Sequence, residues 1–298
     1  MMKRLCGWTA LVVCSVFASA CTMRVDDSRV FRPPSHPAPA ETVAELQRWP
    51  IDDLRAHFPE AEAEQGFIGA GDNRIAYTLA SLPNDSEEPR PFIVYCGGNA
   101  SDRMRSGVDL LRKSLPYGDV MLFDYPGYGD SPGTPSADAL EAMAPRVIDF
   151  VETQSEGRKL VYWGHSLGGF VCSRLASETA PADGLVLEAT ARNALEVAEA
   201  WRPWYIAAWT NVEVNEDLAR FDVAEALREF QKPILVLGAE RDRTLPIELS
   251  RSLVAALQAE NADVEFVEFP KAGHVSIAWQ PEFRPLADSY FASIAGAP

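Results

Sequence analysis

Histidine is scarce in this chain, four in 298 residues. None is grouped with cysteines at metal-ligand spacing, so no zinc framework can be read. No glycine-rich phosphate loop follows a strand-like run, which removes the usual signature of nucleotide chemistry. Basic clusters are missing too. Against 27 Lys+Arg stand 43 Asp+Glu, a net charge of −16, which argues against nucleic acid and anionic lipid surfaces as electrostatic partners. The apolar run from Leu5 to Ala18 is too short for a convincing membrane span. There is no internal repeat. Hydrophobic residues at 47% and charged residues at 23% are ordinary for a globular protein, and the length suits one α/β domain with a leader and a tether.

Against that plain background stands Gly164-His165-Ser166-Leu167-Gly168, a G-x-S-x-G run. It follows the apolar Leu160-Val161-Tyr162-Trp163 and precedes a helix-forming stretch, 170–177. A strand that turns sharply into a helix at this motif lifts the serine hydroxyl above the sheet, and the N–H of Leu167 faces the developing oxyanion. Ser166 is therefore the candidate nucleophile.

A serine hydroxyl needs a base to take its proton. His36 lies in a proline-rich stretch and His57 in a short polar helix before any strand, while His165 adjoins the serine and reads as elbow packing. His274 remains, in a loop after the strand-like run 264–269. The acid belongs between serine and histidine in chain order, at the end of the preceding strand. The apolar run Pro233-Ile234-Leu235-Val236-Leu237 leads to Gly238-Ala239-Glu240-Arg241-Asp242-Arg243. Asp242 is the candidate orienter of His274, with Glu240 as the alternative. A second oxyanion donor is expected from the loop Gly97-Gly98-Asn99-Ala100 after the strand-like run 91–96, and the N–H of Asn99 is assigned that place.

Strand-like runs around Val94, Leu122, Val161, Val186, Val236 and Val267 alternate with helical segments, after a hairpin that begins near Gly66. That order predicts an α/β fold, a mostly parallel, doubly wound sheet with helices on both faces. The segment 191–230 is too long for a simple crossover and carries Trp201, Trp204 and Trp209. It is expected to form a short helical lid whose tryptophans line a substrate pocket, with plain core packing as the bland alternative.

From about residue 66 onward the chain resembles the α/β-hydrolase superfamily. More narrowly, it is similar to the small-lid serine hydrolases that include depalmitoylases. The likeness rests on Gly97-Gly98-Asn99-Ala100, on Asp124-Tyr125-Pro126-Gly127-Tyr128-Gly129-Asp130-Ser131, on the elbow, on Glu240-Arg241-Asp242 and on Gly273-His274. Relatives carry a histidine where Gly97 stands, so a looser oxyanion loop is expected here. The resemblance implies hydrolysis of an ester, thioester or amide through an acyl-enzyme, without a cofactor. Acyl transfer on the same triad is an alternative, as is a non-catalytic binding lipoprotein.

The N-terminus reads as a processed leader, 1–20: Lys3 and Arg4, an apolar region, then Ala18-Ser19-Ala20. Cys21 follows, and Ala-Ser-Ala-Cys resembles a bacterial lipoprotein processing site, which makes Cys21 the expected lipidation site. Thr22, where an inner-membrane retention aspartate would otherwise stand, tilts the expected location to the outer membrane facing the periplasm. A soluble periplasmic or secreted protein is the alternative. Residues 21–50, rich in proline, read as an extended tether before a domain at 51–298. Cys96 and Cys172 read as buried small apolar residues, with a disulfide as the alternative in an oxidising periplasm.

Overall fold

The computed structural model describes residues 21–34, 46–179, 182–260 and 262–296. The expected leader, 1–20, lies outside them. The chain enters through a short strand β1 (Cys21–Val25) and a helical turn α1 (Asp27–Val30), and α2 (Ile51–Arg55) precedes the main sheet. The hairpin β2 (Glu62–Ile68) and β3 (Ile75–Ser81) leads into the alternation β4 (Phe92–Cys96), α3 (Gly107–Ser114), β5 (Asp119–Phe123), α4 (Ala137–Gln154), β6 (Leu160–His165), α5 (Leu167–Glu178) and β7 (Ala182–Glu188). The lid segment holds α6 (Ala194–Trp201), β8 (Thr210–Val214), α7 (Glu216–Ala219) and α8 (Val223–Ala226). Four elements complete the fold: β9 (Ile234–Ala239), α9 (Ile247–Ala259), β10 (Val264–Phe269) and α10 (Phe283–Gly296).

The strands assemble in the order β10-β9-β7-β6-β4-β5-β3-β2. β3 runs antiparallel to both of its neighbours, and every other pairing in this sheet is parallel. β4 and β6 are buried along their whole length, as parallel strands covered on both faces must be. Alternate residues serve opposite cores: Val94 and Tyr162 pack with α4, α5 and α9, while Tyr95 and Trp163 pack with α3 and α10. The expected strands and the expected doubly wound α/β architecture are present.

The Asp124–Ser131 motif proves to be a buried bracket. Asp124 accepts the N–H groups of Arg103 at 2.8 Å and Asp130 at 3.0 Å, and Ser131 Oγ donates to the Asp124 carbonyl at 2.7 Å. The Arg103 side chain, fully buried, ion-pairs with both Asp124 and Asp130. Removing one member would leave a charge buried without its partner, so the bracket holds as a unit.

Three findings depart from the sequence reading. The described parts of the expected tether are docked rather than extended. β1 pairs in parallel with β8 of the lid, Phe31 and Trp49 are buried, and the Trp49 indole donates to the Arg103 carbonyl at 2.8 Å. The lid is consequently not purely helical. Cys96 and Cys172, read as free apolar thiols, are joined by a disulfide with a Cα–Cα distance of 5.8 Å. Their 76-residue separation hides the pairing from sequence, and it forms because α5 packs directly on β4.

Candidate active site

β6 delivers the chain to Ser166, whose φ of 55° and ψ of −119° lie where a side chain is normally strained. The surroundings over-determine that conformation. The Ser166 N–H donates to the Glu188 carbonyl at 2.9 Å, and its own carbonyl accepts from Gly169 N–H at 2.9 Å and Thr190 Oγ1 at 2.8 Å. Gly164 and Gly168 are required by close approach: a Cβ on the first would strike the Gly168 carbonyl, and one on the second the Cys96 and Gly97 carbonyls. The elbow thus packs hard against the β4 end, where the disulfide also sits.

His274 follows β10, and its Nδ1 lies 2.6 Å from Asp242 Oδ2. Asp242 Oδ1 accepts the N–H groups of Thr244 at 2.7 Å and Leu245 at 2.9 Å. A buried carboxylate held from both sides in this way fixes the imidazole plane. Glu240, the alternative acid, is exposed. Of the other histidines, His57 is exposed and His36 lies outside the described residues.

His165 does more than pack the elbow. Its Nε2 is 2.8 Å from the His274 carbonyl, and its ring centroid is 4.9 Å from that of His274. Burial pushes its pKa down to about 4, against the pull of nearby Glu188. The neutral ring can then donate Nε2–H to that carbonyl, clamping the histidine loop to the elbow. Adjacency to Ser166 disguised this role in the sequence.

The loop after β4 is expected to be loose for want of a histidine at position 97. It is instead braced by other groups. Tyr125 donates its hydroxyl to the Gly97 carbonyl at 2.7 Å, and Tyr128 donates to Asn99 Oδ1 at 2.8 Å. Burial raises both phenol pKa values, so both hydroxyls remain donors. The docked N-terminal segment closes the remaining side: Arg32 N–H donates to Asn99 Oδ1 at 2.8 Å, and Asn99 Nδ2 donates to the Val30 carbonyl. With its side chain held, Asn99 borders the same pocket as Ser166 and Leu167.

That pocket has a volume of about 870 Å³ and also takes in His274, a size suited to a substrate with a sizeable apolar part. One sector is apolar, with Val30, Phe31, Leu167, Phe170, Val197 and Phe221. The lining also includes three exposed arginines, Arg29, Arg32 and Arg105. Two further charged residues of the lining are ion-paired, Lys113 with Glu188 at 2.7 Å and Asp109 with Arg112 at 3.0 Å. Trp201 lines the pocket, with its indole donating to the Thr244 carbonyl at 2.6 Å. Trp204 and Trp209 do not line it and stand on the outer surface, which corrects their assignment as pocket wall. The residues missed from sequence are those of the N-terminal segment, where Met23, Val25, Val30 and Phe31 stand among polar residues. Among the described residues no cluster of His, Cys, Asp and Glu is placed to hold a metal ion, and no helix is long and apolar enough to cross a membrane.

Residues 92–220 match the family described as alpha/beta hydrolase fold. A Mycobacterium tuberculosis protein of uncharacterised function is 32% identical over 196 residues, covering 65% of this chain and 66% of that protein. Lysophosphatidylserine lipase ABHD12 of Rattus norvegicus is 32% identical over 197 residues, covering 60% of this chain and 49% of the lipase. The chain therefore spans about half the length of that lipase. Among solved structures, the Pyrococcus furiosus esterase Pf2001 superposes with a TM-score of 0.61 at 16% identity, over 89% of this chain and 98% of the esterase. An acylaminoacyl peptidase of Pyrococcus horikoshii gives 0.59 at 14% identity, over 84% and 44%.

Proposed function

We propose, from the premise that this chain belongs to the α/β-hydrolase family, that it is a serine hydrolase cleaving a carboxylic ester of a single-chain, acidic acyl lipid. The observation that carries the proposal is convergence. The strained Ser166, the Asp242-paired His274 and the Gly98–Asn99 loop all border one pocket.

In the proposed reaction Ser166 Oγ attacks the ester carbonyl while His274 Nε2 takes its proton. The oxyanion is held by the N–H groups of Asn99 and Leu167. Collapse breaks the bond to the alcohol, which leaves with the proton from His274. Water then attacks the acyl-enzyme with the same base, and the acid and free Ser166 result. Asp242 stays ionised and stabilises the imidazolium throughout. The apolar sector suits an acyl chain, and the three arginines suit an anionic headgroup. Those arginines are a local exception in a chain of net charge −16. The name of the rat relative, a lysophosphatidylserine lipase, supports the same substrate class.

For location, we propose lipidation at Cys21 and residence on the outer membrane facing the periplasm. The exposed Cys21 and a disulfide of the kind kept in oxidising compartments support that reading. Labelling with a fluorophosphonate probe and hydrolysis of lysophospholipids test the chemistry. Ser166→Ala is expected to abolish labelling and to lower kcat by about 10⁶-fold. Undiminished turnover in the purified variant would remove Ser166 as nucleophile. Thioester and amide analogues, run in parallel, decide bond preference.

A further inference from the structure

The described residues leave seven large hydrophobic side chains exposed, and three of them, Trp201, Val275 and Trp279, line the pocket. Five lie on α6 and the loop after it, including Trp204 at 86% exposure and Tyr205 and Trp209 at 65% each. The other two, Val275 and Trp279, follow His274 and also line the pocket. Elsewhere the described surface shows no comparable group. An exposed apolar rim of this kind marks an interaction surface.

We infer that this rim is a membrane-docking surface, which seats the pocket mouth on the interfacial zone of a phospholipid bilayer. The path of the chain argues for a bilayer rather than a protein. Cys21, the first described residue, is exposed, and its N–H donates to the Trp209 carbonyl at 2.9 Å. The proposed lipidation site therefore sits beside Trp209 on this face. With Cys21 lipidated as proposed, its acyl chains are brought to the aromatic rim. The rim's composition agrees, because tryptophan and tyrosine settle at the headgroup level, with an apolar ring in the acyl boundary and a polar edge in water. Met23, two residues beyond Cys21, already lines the pocket. A substrate acyl chain could then pass from bilayer to Ser166 without crossing bulk water.

This inference deepens the proposed lipid hydrolysis and rests on that reading for its purpose, though docking itself is measured without catalysis. The full chain carrying Cys21→Ser, so that no acyl anchor holds it to vesicles, is compared with the same chain also carrying Trp204→Ser/Tyr205→Ser or Trp209→Ser, none of which alters a pocket-lining residue. Flotation with phosphatidylcholine vesicles reports binding. Hydrolysis of p-nitrophenyl butyrate in solution and of a long-chain lysophospholipid carried in the same vesicles reports function. We expect at least a tenfold loss of vesicle binding and of vesicle-borne turnover, with turnover of the soluble ester unchanged. Equal flotation of parent and variants would overturn the inference. So would a parallel loss on both substrates, which would mark the rim as structural, or a stable dimer in solution that buries Trp204 and Trp209. If the parent hydrolyses neither substrate, the serine-hydrolase reading fails alone, and flotation still decides the docking.

Discussion

The floor and the roof of the pocket are built on different principles. The floor comprises the ends of β4, β6, β9 and β10, and it is rigid by construction. Ser166 and Asp242 are buried, the elbow backbone is held by three hydrogen bonds, and a disulfide joins β4 to α5. The roof is α6, the strand pair β1–β8 and the turn α1, short elements with few buried side chains. The contrast matches the two tasks of the proposed reaction. Covalent catalysis needs groups held in place before substrate arrives, whereas choosing an acyl chain needs only a wall of suitable size and polarity.

Damage to the floor should therefore cost far more activity than damage to the roof. Asp242→Asn is expected to lower kcat by about 10⁴-fold, because the histidine loses its charged orienter and its correct tautomer. Glu240→Gln, at an exposed position, should leave turnover near that of the parent. Steady-state kinetics on one soluble ester compares the two, and the reverse ranking would move the acid by two residues.

His165 gives the floor a pH signature of intermediate size. Its folded-state pKa of about 4 lies below the ordinary 6.5, so between those values the unfolded chain binds the extra proton. The neutral ring's contribution is complete above pH 6.5 and is lost as pH falls toward 4. At ~1.4 kcal/mol per pH unit, that loss amounts to about 3 kcal/mol. Urea unfolding of the parent and of His165→Gln at pH 7, 5.5 and 4.5 should show the difference between them shrinking with acidity. A constant difference would mean that His165 carries no such linkage.

The smallest expected effect belongs to the roof. Phe31→Ala opens the apolar sector, and kcat on a short soluble ester should change by less than tenfold. The ratio of long-chain to short-chain kcat/KM should fall, because the lost wall contacts only the longer acyl group. A large drop in kcat on the short ester would show that the N-terminal segment, through Asn99, sets the oxyanion geometry rather than chain selection.

The legibility of the molecule follows the same division. The floor could be read from local signals, since G-x-S-x-G between a strand and a helix encodes the elbow, and chain order then leads to Asp242 and His274. The roof could not. Trp204 and Trp209 sit in a segment whose composition fits a pocket wall, a core or an outer face equally well, and only packing separates the three. Residues 21–34 looked like part of a tether because proline and polar residues dominate that stretch. The pairing of β1 with β8 joins segments about 190 residues apart.

By itself the sequence determined the order of strands and helices, the strained turn at Ser166 and the placing of Asp242 and His274 after successive strands. These depend on local backbone preference and on apolar periodicity, which neighbouring residues impose directly. Only the tertiary structure decided that Cys96 meets Cys172, that Tyr125, Tyr128 and Val30 brace the Gly97–Asn99 loop in place of a histidine, and that His165 clamps the His274 loop. It alone turned Trp204 and Trp209 outward beside Cys21. Each of these is a contact between distant segments, where the favourable term is burial or a hydrogen bond formed after the chain has closed on itself. No local pattern records that term.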